Sequence, residues 1–82
     1  MKKIIRMRDM ADNQAGRITK VSSKGDMGRR LREMGLVPDT PVQIQGRAPL
    51  KDPVAIKVRD FVLTLRNQEA DHILVEVESS EP

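Results

Sequence analysis

Cysteine, tryptophan and tyrosine are absent from this 82-residue chain, and phenylalanine occurs once, at Phe61. Without cysteine there are no disulfides, thiolate zinc sites, iron–sulfur ligands or thiol nucleophile. Histidine also occurs once, at His72, and no serine elbow accompanies it to make a nucleophilic triad. No P-loop or other glycine-rich phosphate loop is present, so any nucleotide hydrolysis falls to a partner. No apolar run nears the roughly 18–20 residues that span a bilayer. The opening Met1-Lys2-Lys3-Ile4-Ile5-Arg6 lacks the apolar stretch of a secretory signal. The expectation is a cytoplasmic, non-enzymatic protein without a cofactor. The shortage of aromatics bears on partners too. Single-strand and RNA readers stack bases on exposed rings, and polyproline grooves are lined with them. With Phe61 assigned to the core, neither mode is open.

Hydrophobic residues make up 38% of the chain and charged residues 33%, enough apolar material for one small core and no more. The charge is segregated. Residues 1–32 hold ten Lys or Arg against three Asp, whereas residues 33–82 hold five against nine acidic residues. A basic first part points to an acidic partner, nucleic acid and anionic headgroups among them, or to a dipolar domain with solvated charges.

Met7 and Met10 precede a polar turn at Asp12-Asn13-Gln14, and Gly16–Val21 is strand-like although Ile18 and Val21 do not alternate. From Asp26 to Met34 the period turns helical, with Met27, Leu31 and Met34 on one face, a stripe that reads as core. Asp26 is the expected N-cap, and Gly28 weakens the first turn by about 1 kcal/mol relative to alanine. If Gly35 is the left-handed residue after the helix, Leu31 and Leu36 form the apolar pair of a Schellman stop, and Pro38 blocks continuation. Arg29, Arg30 and Arg32 then project from the outer face.

Three alternating segments follow: Val42, Ile44, Gly46 and Ala48; Val54, Ile56 and Val58; Phe61, Leu63 and Leu65. Arg59-Asp60 reads as a two-residue hairpin. The prolines of Pro49-Leu50-Lys51-Asp52-Pro53 keep that stretch out of a central strand. Asn67 is expected to cap one helical turn, Ile73, Val75 and Val77 to form the last strand, and residues 79–82 to be a disordered tail. The expected architecture is mainly β, a small five-stranded barrel with one short inserted α-helix and a helical turn. It forms a single domain over 1–82 with its core in 7–77.

Arg29-Arg30-Leu31-Arg32-Glu33-Met34-Gly35-Leu36-Val37-Pro38 resembles the central motif of the ferrous iron transport protein A (FeoA) family. Ala48–Val54, Val58-Arg59 and Leu63–Arg66 are similar to its second half, and Glu69-Ala70 with Ile73–Val75 to its ending. The resemblance implies a Src-homology-3 (SH3)-like barrel and a cytoplasmic accessory role. The implied partner is the cytosolic, GTPase-bearing part of a membrane ferrous iron transporter (FeoB-like). A similar domain is appended to metal-dependent repressors, so an interaction domain of that kind is one alternative, and a basic nucleic-acid-binding barrel is another. Where the family commonly has glycine, this chain has Asn13, Asp39 and Asp60, the residue types that best tolerate the left-handed region. The resemblance extends over Met7 to Val77 and leaves the extra Met1–Arg6 without an interpretation.

The candidate docking residues are the arginines Arg29, Arg30 and Arg32 and the loop-borne apolar residues Val37, Pro38, Pro49, Leu50 and Pro53. Leu50 either presents a binding patch or plugs the end of the barrel. Arg30 is either free or held by Glu33 or by the barrel. No metal site is expected; His72 with Glu69 or Asp71 is the one candidate set, and a ligating histidine needs companions it lacks.

Overall fold

The computed structural model describes residues 1–78; the expected tail at 79–82 lies outside the described residues. Six strands form one antiparallel sheet in the order β1-β6-β2-β3-β4-β5, with β1 at Lys2–Arg6, β2 at Ala15–Val21, β3 at Pro41–Arg47, β4 at Val54–Val58, β5 at Phe61–Leu65 and β6 at Ile73–Glu78. Helix α1 (Gly25–Glu33) is inserted between β2 and β3, and the single turn α2 (Asn67–Ala70) between β5 and β6. Inward residues from every strand except β1, together with Met7, Met10, Leu31, Leu36 and Ala70, make one buried core.

The strand count is six, not five. Met1–Arg6, unassigned from sequence, supplies β1, which pairs with β6 in the register Ile5↔Val75 and Arg6↔Leu74. Ile5 turns inward and Ile4 outward, so the segment alternates like its neighbours. A 3-10 turn at Met7–Asp9 then drops Met7 into the core. The sheet curves around this core but is not closed by hydrogen bonds, leaving β1 and β5 as edges.

Two bulges explain where simple alternation fails. The β2–β6 register shifts between Ile18 and Lys20, which resets the parity and lets both Ile18 and Val21 reach the core. Thr19, the extra residue, donates its hydroxyl to the Leu74 carbonyl at 3.2 Å. A second shift lies between Ile44 and Gly46. It places Arg47 opposite the core residue Val54 and Gly46 opposite the outward Ala55. Arg47, which unbroken alternation from Val42 and Ile44 would point outward, is therefore turned toward the barrel end, with its side chain only 11% exposed.

Helix α1 ends as the sequence indicates. Gly35 has φ +93°, the Leu36 N–H donates to the Leu31 carbonyl at 3.1 Å, and the Gly35 N–H donates to Arg32 at 3.0 Å. Those are the two bonds of a Schellman motif. The helix start differs: Lys24, not Asp26, occupies the N-cap, and no side chain caps it. At the other corrected cap, Arg66 rather than Asn67 precedes α2. Of the three expected left-handed stand-ins, Asn13 (φ 67°) and Asp39 (φ 74°) are left-handed, but in the hairpin that conformation falls on Arg59 (φ 56°), not Asp60.

Phe61 also departs from expectation. It lies on the inward side of β5 but is 43% exposed, because it flanks the hairpin on an edge strand with no further strand among the described residues to close over the ring.

Gly28 is a requirement of packing. A Cβ there would collide with the Ser23 carbonyl, because the first turn of α1 lies against the chain that leads into it. Helix propensity alone makes Gly28→Ala stabilising by about 1 kcal/mol. The close approach reverses the sign, and we expect a loss of about 1–3 kcal/mol in urea unfolding, as for other overpacking changes.

Candidate functional site

The stripe Met27, Leu31 and Met34 faces inward, with Leu31 buried and both methionines packed against the core. This fixes Arg29, Arg30 and Arg32 on the outer face of α1, all exposed. Their charges are not equivalent. Arg29 pairs with Asp26 at 3.3 Å in an exposed contact three residues apart, the kind of pair that contributes a few tenths of a kcal/mol. Arg30 reaches Glu69 of α2, its Nη2 lying 3.1 Å from Oε2. Arg32 carries no ion pair among the described residues.

Glu69 is a buried carboxylate, 4% exposed. Its Oε1 accepts the backbone N–H of Arg66 at 3.0 Å, tying off one otherwise unpaired donor at the start of α2. Its Oε2 has only the Arg30 charge beside it, in a geometry that is an ion contact and not an aligned hydrogen bond. Arg30 is thus held by the barrel through Glu69, not through Glu33.

The same short helix anchors the proline-flanked loop. Asn67 Nδ2 donates to the Lys51 carbonyl at 3.0 Å, and the Asn67 N–H donates to Asp52 Oδ1 at 2.9 Å. Within the loop, Lys51 N–H donates to the Ala48 carbonyl at 2.7 Å, Lys51 is left-handed (φ 69°), and Asp52-Pro53 is cis. Leu50, at the tip, is 89% exposed. It does not plug the barrel. Pro49 and Pro53 flank it, also exposed.

Val37 and Pro38 follow the helix stop, Val37 half-buried and Pro38 exposed. No hydrogen bond or ion pair among the described residues joins them to the Leu50 loop. The structure therefore ties Arg30 and the loop to α2, and leaves Val37 and Pro38 as a separate patch at the end of α1. That patch has a neighbour the sequence reading missed. The Phe61 ring lies 3.9 Å from the point where a Gly35 Cβ would sit. Beside it Val62 is 57% exposed. The available signal was positional: a residue flanking a two-residue turn has fewer neighbours to bury it.

A polar cleft of about 480 Å³ lies beside the loop, lined by Arg8, Met10, Asp12, Arg47, Lys51 and Asn67 among others. Its guanidinium groups are already engaged. Arg47 donates to Asp12 Oδ1 at 3.2 Å and to the Arg8 carbonyl at 2.9 Å, while Arg8 meets Asp71 at 2.8 Å. Among the described residues His72 bonds through its backbone and not its ring: its carbonyl accepts the Ser22 N–H at 2.7 Å and the Ser22 hydroxyl at 3.1 Å. Among the described residues, no three His, Asp or Glu side chains converge as a metal-holding group.

Removing Arg30 leaves a buried carboxylate without its cation. After allowance for the exposure of the guanidinium, Arg30→Ala should cost about 1–2 kcal/mol. Arg29→Ala, Arg32→Ala and Leu50→Ala should each stay within about 0.5 kcal/mol. Urea unfolding of the four variants checks this ordering.

Comparison with known proteins agrees with this geometry. An FeoA-like protein from Clostridium acetobutylicum, solved by NMR, superimposes with a TM-score of 0.87 at 32% identity, over 100% of this chain and 95% of that one. The zinc-complexed FeoA of Stenotrophomonas maltophilia, described as a prokaryotic SH3 domain protein, matches with a TM-score of 0.77 at 23% identity. It covers 87% of this chain and 88% of its own, and supports the SH3-like fold. A Porphyromonas gingivalis Fe(2+) transport protein A/Fe(2+) transporter FeoB fusion protein is 32% identical over 76 residues, which is 93% of this chain but 9% of that protein. The FeoA domain model matches residues 5–77, and with the six-stranded sheet, the helix insertion and its glycine stop in place, the chain belongs to the FeoA domain family.

Proposed function

We propose that this chain is a non-enzymatic, cytoplasmic accessory of ferrous iron uptake that docks onto the cytosolic, GTPase-bearing part of a ferrous iron transporter. The observation that carries the reading is the fusion. In the Porphyromonas gingivalis protein, a segment similar to this chain is named together with the FeoB transporter in one polypeptide. Covalent linkage raises the local concentration of one module for the other, an arrangement that favours modules that touch.

The surface supports docking better than catalysis. Leu50 is a large apolar side chain held out at the tip of a loop that α2 anchors from behind. A pre-ordered apolar tip loses little freedom on binding, which is the property of an interface anchor. Arg29 and Arg32 supply positive charge for the rim, where charges act on encounter more than on final affinity. The nucleic-acid alternative loses ground, because Lys2, Arg6, Arg8, Arg29 and Arg30, half of the cations in residues 1–32, are paired with carboxylates.

Calorimetric titration with the isolated GTPase-bearing domain of a FeoB-like transporter tests the proposal. Saturable binding at physiological salt is expected, weakened about tenfold or more by Leu50→Asp with no change in melting temperature. Arg29→Ala and Arg32→Ala should slow association and flatten its salt dependence. Wild-type affinity in all three variants would rule out this surface. The chain alone should hydrolyse no GTP. Stoichiometric Fe2+ binding at micromolar affinity that His72→Ala abolishes would contradict the expectation of no metal site.

A further inference from the structure

The two edges of the sheet are treated differently. The β1 edge carries Lys2, Lys3 and Arg6 among its five residues, and charges of this kind discourage edge-to-edge pairing. The β5 edge, Phe61-Val62-Leu63-Thr64-Leu65, has no charge, no proline and no bulge. Val62 and Thr64 on its outer face are exposed, as is much of Phe61. Among the described residues no segment pairs with its outer side.

The hairpin geometry says which backbone groups are free. Val58 and Phe61 flank the two-residue turn, so they form the hydrogen-bonded pair that closes it. Antiparallel bonding alternates, which makes Ile56–Leu63 and Val54–Leu65 the remaining bonded pairs across β4. The N–H and C=O groups of Val62 and Thr64 therefore point away from β4. A second β5 laid antiparallel with Leu63 on the twofold axis would place Val62 of each copy opposite Thr64 of the other. The free donors and acceptors would then meet as two mutually bonded pairs.

Charge selects the same register. With Leu63 on the axis, Asp60 of one copy faces Arg66 of the other, and the twofold repeats the pair. Both residues are exposed, and neither has an ion pair within the chain among the described residues. Phe61 then lies across from Leu65, on the side where its ring is now partly uncovered. A shift by two residues in either direction keeps the backbone bonds possible but separates Asp60 from Arg66.

We propose that β5 is a self-association edge, through which two copies of this chain pair antiparallel about Leu63 to form one continuous twelve-stranded sheet. The contact is isologous and closes at two copies. Its residues, Asp60 to Arg66, are not those of the Leu50 loop.

Sedimentation velocity across the micromolar to millimolar range tests the proposal, with melting temperature measured on every variant. The wild-type chain should pass from monomer to dimer. Val62→Lys should keep the fold and lose the dimer. Asp60→Arg and Arg66→Asp should each weaken association about tenfold or more by setting like charges opposite one another, and the double variant should restore it. Aspartate is favoured at the helix-capping position that Arg66 holds, so loss in that variant is not a folding effect. A chain that stays monomeric throughout the range overturns the proposal. So does a dimer that survives Val62→Lys, or one that the charge exchange does not restore.

Discussion

One buried carboxylate organises the side of the molecule that carries the proposed docking surface. Glu69 closes the first turn of α2 through the Arg66 N–H and holds Arg30 of α1 through its other oxygen. Asn67, two residues earlier, fixes the backbone of the Leu50 loop. A helix of four residues has no stability of its own in water; it persists here because Ala70 is buried in the core and its start is satisfied by Glu69. Loss of that carboxylate would release the helix start, the Arg30 contact and, through Asn67, the base of the loop. The energy at stake is modest, but it is concentrated at the base of the Leu50 loop.

Much of the fold could be read directly from the residues. The helix stop at Gly35, the hairpin at Arg59-Asp60 and the inward sets Val54/Ile56/Val58 and Ile73/Val75/Val77 follow from local chemistry and period. What resisted reading was set by pairing across the sheet. Arg47 looked outward because alternation was counted through Gln45, where the bulge resets it. The role of Met1–Arg6 depends on β6, more than sixty residues away. Gly28 seemed a weak helix residue until the Ser23 carbonyl was seen against it. Type and parity both point Phe61 inward, but an edge strand leaves an inward ring uncovered.

The docking residues divide in the same way. Exposure of Leu50 was one of two readings that the prolines around it allowed, and the bonds from Asn67 decide between them. Of the three arginines, the residues left Arg30 either free or held by Glu33 or by the barrel; the contact with Glu69 decides for the barrel, and Arg32 has no ion pair among the described residues. Val37 and Pro38 belong with Gly35 and Phe61 at the far end of α1, not with the loop. The family's membership and fold are carried by the match over residues 5–77, whereas the docking role is carried by what the geometry leaves exposed and by one fused relative.

The most direct test of the account is an amide NMR titration of the intact chain with the GTPase-bearing domain of a FeoB-like transporter. The account predicts shifts centred on Leu50, its loop from Pro49 to Pro53, and the exposed arginines of α1, with the β1 and β6 amides unmoved. Shifts confined to the opposite side of the sheet, or none at saturating partner, would contradict it.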